Sequence, residues 1–151
     1  MPVRPQIFLS HASENAFEAN LLQMAIETLL RDLGVSVWTY QRDQAGDERN
    51  VGASLKERVR ESVAAIMLIS PETLRSGATQ WMELAYADAF DVPTFVLLHH
   101  MTFESLTRRK KGVPPLVLAG HCTPAVEWRK LEQALRACCQ RASSTDARPT
   151  S

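Results

Sequence analysis

The sequence predicts a three-layer α/β fold with a five-stranded parallel sheet in the strand order 2-1-3-4-5. Short apolar runs alternate along the chain with longer segments whose apolar residues recur every three or four positions, the patterns of buried strands and of helices. One run, Ala64–Ile69, is apolar throughout, as in strands that are covered on both faces. Strands and helices that alternate in this way form parallel sheets flanked by helices.

Length and composition limit the domain count and the class of partner. The 151 residues fit one domain, which we place at 1–141, followed by a disordered tail at 142–151. The 17 basic and 17 acidic residues balance, so no overall charge favours nucleic acid or a membrane surface. No apolar run suits a signal peptide or a membrane span, and the three cysteines lack the spacing of a disulfide framework. We therefore expect a cytoplasmic protein with free thiols.

The first βα unit begins with a short buried strand, Gln6–Leu9, and Ser13 is expected to cap the helix that follows. Apolar residues in that helix predict one wide buried face that ends at Gly34. They are Phe17, Leu21, Met24, Ala25, Ile26, Leu29, Leu30 and Leu33. Val35–Trp38 predicts the second strand, in which we interpret Trp38 as a structural residue.

The middle of the chain predicts two more βα units. A long exposed loop at 41–50 precedes a helix with Leu55, Val59 and Val63 at i, i+4 and i+8, which leads into the apolar third strand. Ser70 and Pro71 then begin a brief helical turn, since proline favours the first helical position. A longer helix follows, with an inward face assigned to Trp81, Leu84, Ala85 and Ala89.

The last third of the chain gives weaker signals. Pro93–Leu98 predicts the fourth strand, and 101–111 a short helix or loop. We expect a fifth strand within 115–125 and a terminal helix over 126–141, in which Cys138 and Cys139 pack.

Strand order predicts where a ligand binds. The order 2-1-3-4-5 is that of flavodoxin-like sheets, in which ligands lie at the carboxyl ends of the strands where the winding reverses, between strands 1 and 3. The loop 10–13 follows strand 1, and the segment after strand 3 runs from Ser70 to Glu83. Both segments should therefore border one crevice.

Missing motifs exclude several classes of protein. A phosphoacceptor receiver domain needs acids after strand 1 and an aspartate after strand 3, where this sequence has Ser10-His11 and Ser70. Neither a P-loop nor the G-x-G-x-x-G dinucleotide fingerprint is present. We expect no metal either, because the candidate ligands lack zinc-site spacing. These candidates are His99, His100, His121 and Cys122.

Five segments resemble, in order, the motifs of Toll/interleukin-receptor (TIR) domains, in particular the bacterial NAD-consuming type of Thoeris-like or related defence systems. The resemblance covers roughly residues 5–100. The segments are 7–14 (IFLSHASE) for the opening strand and loop, 34–38 for the second strand, 45–47 for the glycine turn of the BB loop, 66–71 for the third strand and 81–84 for the helix with the catalytic acid.

This resemblance implies an NAD glycohydrolase or ADP-ribose cyclase that acts in antiphage defence signalling, with Glu83 as the catalytic carboxylate. NAD is then the substrate and no cofactor is expected. The implied substrate contacts are Ser10, His11, Ser13, Ser70 and Trp81. Protomers are expected to associate through TIR–TIR contacts that involve Asp43, Gly46 and Asp47 of the BB loop, with a downstream effector or activating partner.

The spacing around the acid departs from the family. Trp81 precedes Glu83 by two positions, whereas many members place the tryptophan four positions ahead. We assign Glu83 because its distance to Pro93 matches the family. A structural alternative stays open, in which Glu83 is a helix-start acid that interacts with the macrodipole and Trp81 is a core residue.

Two other functions also stay open. One is a non-enzymatic TIR adaptor that acts by homotypic binding and does not depend on Glu83. The other is an enzyme similar to nucleoside deoxyribosyltransferases, which act on another N-glycoside.

Overall fold

A computed structural model of the chain describes residues 4–39, 51–76, 78–108, 113, 117, 121–124 and 128–146. Its parallel strands are β1 (Gln6–Ser10), β2 (Ser36–Thr39), β3 (Ala64–Ile69) and β4 (Thr94–Leu98), in the order β2-β1-β3-β4. A further strand, β5 (His121–Pro124), pairs in parallel with β4. The predicted parallel sheet and the order of its first four strands are confirmed.

The helices with described bounds are α1 (Ala16–Leu29), α2 (Val51–Arg60), α3 (Pro71–Ser76), α4 (Ala78–Ala89), α5 (Phe103–Arg108) and α6 (Trp128–Asp146). Short 3₁₀ turns lie on either side of α1, at Ser13–Asn15 and Arg31–Leu33. In this part of the chain, none of the helices has the length and apolar character needed to cross a bilayer.

Helices cover both faces of the sheet because successive strand residues point to opposite sides. In β1, Ile7 and Leu9 pack in a core cluster with residues of α1 and α6, whereas Phe8 packs with residues of α2 and α4. Trp38 is buried against Phe8, with the two ring centroids 5.2 Å apart. The interpretation of Trp38 as a structural residue is confirmed.

The wide buried face predicted for the first helix is wrong in part. The buried residues of α1 form a narrow stripe of Ala19, Gln23 and Ile26, and the partly buried Leu22 packs against the core beside them. Phe17, Leu21 and Met24 are 71%, 52% and 61% exposed, and we call them the α1 apolar stripe. The helix has apolar residues on two sides, and the sheet covers one of them.

The inward face assigned to α4 is also wrong in part. Leu84 is buried and Trp81 packs against a core cluster, but Ala85 and Ala89 face solvent. The position that is buried one turn later is Ala87. The buried face of α4 is therefore rotated about the helix axis from the predicted one, and it includes the polar residues Gln80 and Glu83.

Several element boundaries differ from the prediction. Val63 lies beyond the end of α2 and packs with the α1 side of the core. The last helix continues to Asp146, so residues 142–146, which we expected to be disordered, are helical. Gly34 ends the first helical segment as predicted, in the left-handed conformation that suits glycine (φ +67°). Cys138 and Cys139 are buried free thiols in α6, as expected.

Candidate active site

Glu83 lies on the buried face of α4, against the carboxyl-terminal half of the sheet. Gln80, one turn earlier on the same face, is also buried, and its Nε2 donates a 3.1 Å hydrogen bond to the carbonyl of Leu68 in β3. This bond holds the first turns of α4 against β3. The position of Glu83 relative to the strand ends is thereby fixed.

The Glu83 side chain is 7% exposed, and burial raises its pKa to about 7 from an ordinary value of 4.5. The Ser10 side chain partly opposes this shift. A helix macrodipole would favour the ionised form and lower the pKa, and its effect falls off after the first turn. Glu83 is the sixth residue of α4, so the macrodipole interpretation does not account for its properties.

Ser10 is the buried group beside Glu83. It ends β1, is 2% exposed, and its backbone pairs with Met67 of β3. Its effect on the pKa of Glu83 places the hydroxyl next to the carboxyl, yet the Oγ has no hydrogen bond of regular geometry with any described residue. Buried hydroxyls usually have a partner, so the Ser10 hydroxyl has unused hydrogen-bonding capacity beside the Glu83 carboxyl. It lies where strands 1 and 3 end, the place that the strand order predicts.

Ser70 has a different environment. Its Oγ donates a 2.5 Å hydrogen bond to Oδ1 of the buried Asn15, and its backbone N–H donates to the Thr73 hydroxyl at 3.1 Å. The hydroxyl is thus engaged in joining the loop after β1 to the start of α3. The sequence analysis missed Asn15, although a polar residue directly ahead of an apolar helix is a signal for such a role.

Of the other predicted contacts, His11 and Ser13 follow β1, and Trp81 lies on α4. His11 is half-buried, and its Nδ1 lies 2.7 Å from the Ala12 carbonyl oxygen. The prediction that Ser13 caps the helix is wrong, because Ser13 is exposed and its hydroxyl donates to Glu14 at 3.3 Å. Trp81 packs in the core beside Met67 and Ile69, where its side chain is half-buried.

The BB-loop residues lie outside the described residues. They are Asp43, Gly46 and Asp47.

The missed residue with the clearest signal is Gln80. It lies three positions before Glu83, so the two polar side chains share one helix face with Leu84 and Ala87. Its Oε1 is buried and has no partner among the described residues. A polar pair on an otherwise apolar helix face is the pattern that indicates this site.

No protein-family model matches the sequence, and no curated protein matches it. Solved structures do share its fold. One is the metazoan TIR-STING receptor from C. gigas in complex with 2′,3′-cGAMP, with 18% identity and a TM-score of 0.56 over 78% of this chain. The TIR domains of the activated Roq1 resistosome, which recognises the effector XopQ, match with 14% identity and a TM-score of 0.50 over 90% of this chain and 84% of theirs.

A 2-desoxiribosyltransferase from Leishmania mexicana matches with 17% identity and a TM-score of 0.50 over 62% of this chain. The chain spans 64% of the length of that enzyme and 34% of the length of the TIR-STING receptor. The fold is TIR-like. At these identities the comparisons establish the fold and leave the function to the chemistry of the site.

Proposed function

We propose that this protein cleaves the bond between nicotinamide and ribose in NAD, with Glu83 as the catalytic carboxylate. The main support is a buried acid with a pKa of about 7, next to an unpaired buried hydroxyl at the carboxyl end of β1. Strongly perturbed acids in such positions are typical of catalytic sites. The resemblance of the sequence to NAD-consuming TIR domains supports the same reaction.

One carboxylate is sufficient for this chemistry. When the bond from the nicotinamide nitrogen to C1′ breaks, its electron pair neutralises the pyridinium, so the leaving group needs no proton. The remaining problem is positive charge on the ribose, which a nearby carboxylate stabilises, as in glycosidases. Water that adds at C1′ and loses a proton gives ADP-ribose, whereas attack by an atom of the same molecule gives a cyclic ADP-ribose.

The high pKa of Glu83 is compatible with this role. At neutral pH the free protein holds about half of Glu83 in the ionised form, given its pKa of about 7. The positive charge of bound nicotinamide favours the ionised form further, since an opposite charge nearby lowers the pKa of an acid. Among the implied substrate contacts, Ser10 lies beside Glu83, and Ser70 is assigned to positioning the loop.

We further propose that the protein acts in the cytoplasm and self-associates through TIR–TIR contacts, with the segment 41–50 as one element of the interface. The exposed α1 apolar stripe supports this, because contiguous exposed apolar side chains often mark interaction surfaces. A role in antiphage defence, in which infection triggers NAD loss or a nucleotide signal, rests on the resemblance of the sequence. A purely adaptor function would use the same contacts without Glu83.

The likeness to a deoxyribosyltransferase supports a second candidate, an enzyme that acts on nucleosides. We expect concentrated protein incubated with NAD to release nicotinamide, and the same protein incubated with 2′-deoxyinosine and adenine to release no hypoxanthine. Mass spectrometry of both mixtures makes the measurement and identifies linear or cyclic ADP-ribose. Base exchange without nicotinamide release would favour the nucleoside enzyme, and neither reaction would favour the adaptor.

Replacing Ser10 with alanine is expected to move the pH dependence of NAD cleavage. The value of kcat/KM, which reports ionisation in the free protein, should rise with pH as Glu83 ionises, with a midpoint near its pKa of about 7. Ser10 lowers that pKa, so Ser10→Ala should shift the midpoint to higher pH. Ser54→Ala, which removes an exposed hydroxyl on α2, is the matched control and should leave the profile unchanged. A midpoint that stays in place in Ser10→Ala would contradict the pairing of the two side chains.

A further inference from the structure

A cavity lies on the opposite side of the sheet from Glu83. Its volume is about 280 Å³. Leu68 and Leu97, which line it, belong to the core cluster formed with α1 and α6, whereas Glu83 is on α4 across the sheet. This size is close to the lower end of the range for small-molecule sites, about 300–1,000 Å³.

The wall of this cavity is largely apolar. Residues of α1 form one side of it, and strands β3 and β4 form the other. The apolar lining consists of Leu21, Leu22, Ala25, Leu68 and Leu97. Such a surface accepts an aromatic or aliphatic group of a few heavy atoms.

Two polar side chains complete the lining, Glu18 from the first turn of α1 and His99 from the end of β4. Glu18 Oε2 and His99 Nε2 are both buried and have no hydrogen-bond partner among the described residues. The His99 backbone N–H donates to the carbonyl of Ile69 at 2.8 Å, so the residue is fixed at the edge of the sheet. Buried polar atoms in proteins usually have partners, so each of these two atoms would be stabilised by a ligand group that donates a hydrogen bond.

The charge and the hydrogen-bonding groups of the lining indicate which chemical class of ligand fits the cavity. Glu18 contributes a carboxylate, and among the described residues that line the cavity there is no lysine or arginine. A carboxylate only accepts hydrogen bonds, and Nε2 of a neutral imidazole with its proton on Nδ1 also accepts. An ammonium group has three donors and a positive charge, so it suits a site that offers a carboxylate and an acceptor nitrogen.

We propose that this cavity binds a small organic ammonium ion with an apolar body. The apolar body lies against the leucines of α1, β3 and β4, and the ammonium group donates to Glu18 and His99. This site is separate from the one that holds Glu83 and does not depend on the NAD reaction.

Tryptamine is a suitable probe, because it joins an aromatic body of suitable size to an ammonium group. Titration of the full chain, followed by NMR of the Leu68 and Leu97 methyl groups and the His99 ring, should show saturable binding with a Kd of about 1 mM or below. The same indole body without the charge, 3-ethylindole, should bind at least about tenfold more weakly. Equal binding of the two compounds, or no saturable shift at these groups, would overturn the proposal.

Two variants locate the binding. Glu18→Gln keeps the shape of the side chain and removes its charge, and it should weaken tryptamine binding by about tenfold or more. Glu14→Gln makes the same change at an exposed position on the preceding turn and should leave the Kd unchanged. Ala25→Phe, which fills the cavity without altering its charge, should also abolish binding and tests the site independently.

Unaltered affinity in both Glu18→Gln and Ala25→Phe would refute the assignment. A change of oligomeric state in Glu18→Gln without any loss of tryptamine affinity would indicate that a second copy of the chain occupies the cavity, and would refute it equally.

Discussion

Replacing Glu83 with glutamine is expected to lower NAD cleavage by at least about two to three orders of magnitude, the usual cost of removing a group that stabilises transition-state charge. Glutamine fills the same space beside Ser10 but cannot hold the negative charge that the ribose cation needs. The measurement is the initial rate of nicotinamide release at high protein concentration, where self-association is favoured. A loss in the rate of the chemical step with little change in KM is expected, because the charge acts mainly in the transition state.

Glu57→Gln is the matched control for this experiment. Glu57 is an exposed acid on α2 that pairs with Arg60 at 3.4 Å, so the substitution makes the same change in net charge away from the site. The control should turn over NAD as the original protein does. A Glu83→Gln variant that remains as active as Glu57→Gln would show that the carboxylate has no catalytic role, and NAD cleavage would then depend on another group.

The sequence predicts the sheet well because its strands are buried on both faces. Ala64–Ile69 is apolar at every position, and this run is β3 with the bounds expected. Each of its residues is buried, so hydrophobicity alone identifies the element. The same reasoning applies to β1 and β4, whose positions in the sheet follow from the alternation of strands and helices.

The helix faces were predicted less well, since periodicity assumes that the buried side of a helix is its apolar side. On α1 the pattern offers apolar residues on two sides, and Phe17 and Met24 are on the exposed one. On α4 the buried side includes Gln80 and Glu83, which the pattern places outward. Polar residues turn inward there because remote groups receive them: the carbonyl of Leu68 accepts from Gln80, and Ser10 lies beside Glu83.

Contacts of this kind cannot be read from local sequence. Asn15 and Ser70 are 55 positions apart, and although the place of Asn15 ahead of α1 indicates a polar role, nothing in the local sequence identifies Ser70 as its partner. Places where local pattern and final structure disagree are often functional sites, because function requires groups that packing alone would not select. The disagreement on α4 occurs at the one helix face that the TIR resemblance marks as catalytic.

Glu83→Gln is also expected to stabilise the folded protein at neutral and higher pH. The folded-state pKa of about 7 lies above the ordinary value of 4.5, so the folded protein binds a proton that the unfolded chain has lost between these values. The stability of the original protein therefore falls as pH rises from 4.5 to about 7, and it levels off above that. At about 1.4 kcal/mol for each pH unit, the full cost is about 3 kcal/mol, which glutamine does not incur because it has no charge to bury.

Urea unfolding at about pH 5 and about pH 8 measures this effect as the difference in the free energy of unfolding between variant and original protein. Groups that titrate alike in the two proteins do not contribute to that difference. That difference should grow between the two pH values. Glu72→Gln is a control for which the change in stability with pH is expected to have the opposite sign. Hydrogen bonds lower the pKa of Glu72, so its charge contributes stability at neutral pH that is lost in acid, and the variant should be the less stable protein at pH 8.

The two results on Glu83 together separate function from structure. A residue kept for packing or for an ion pair stabilises the fold, and its replacement costs stability. A residue kept for catalysis can destabilise the fold, because the desolvation that raises its pKa is part of the site. A Glu83→Gln variant whose stability advantage over the original protein grows with rising pH, and which loses NAD cleavage, fits only the second case. Parallel stability curves for variant and original protein would show that Glu83 has an ordinary pKa, and the physical basis of the proposed site would be lost.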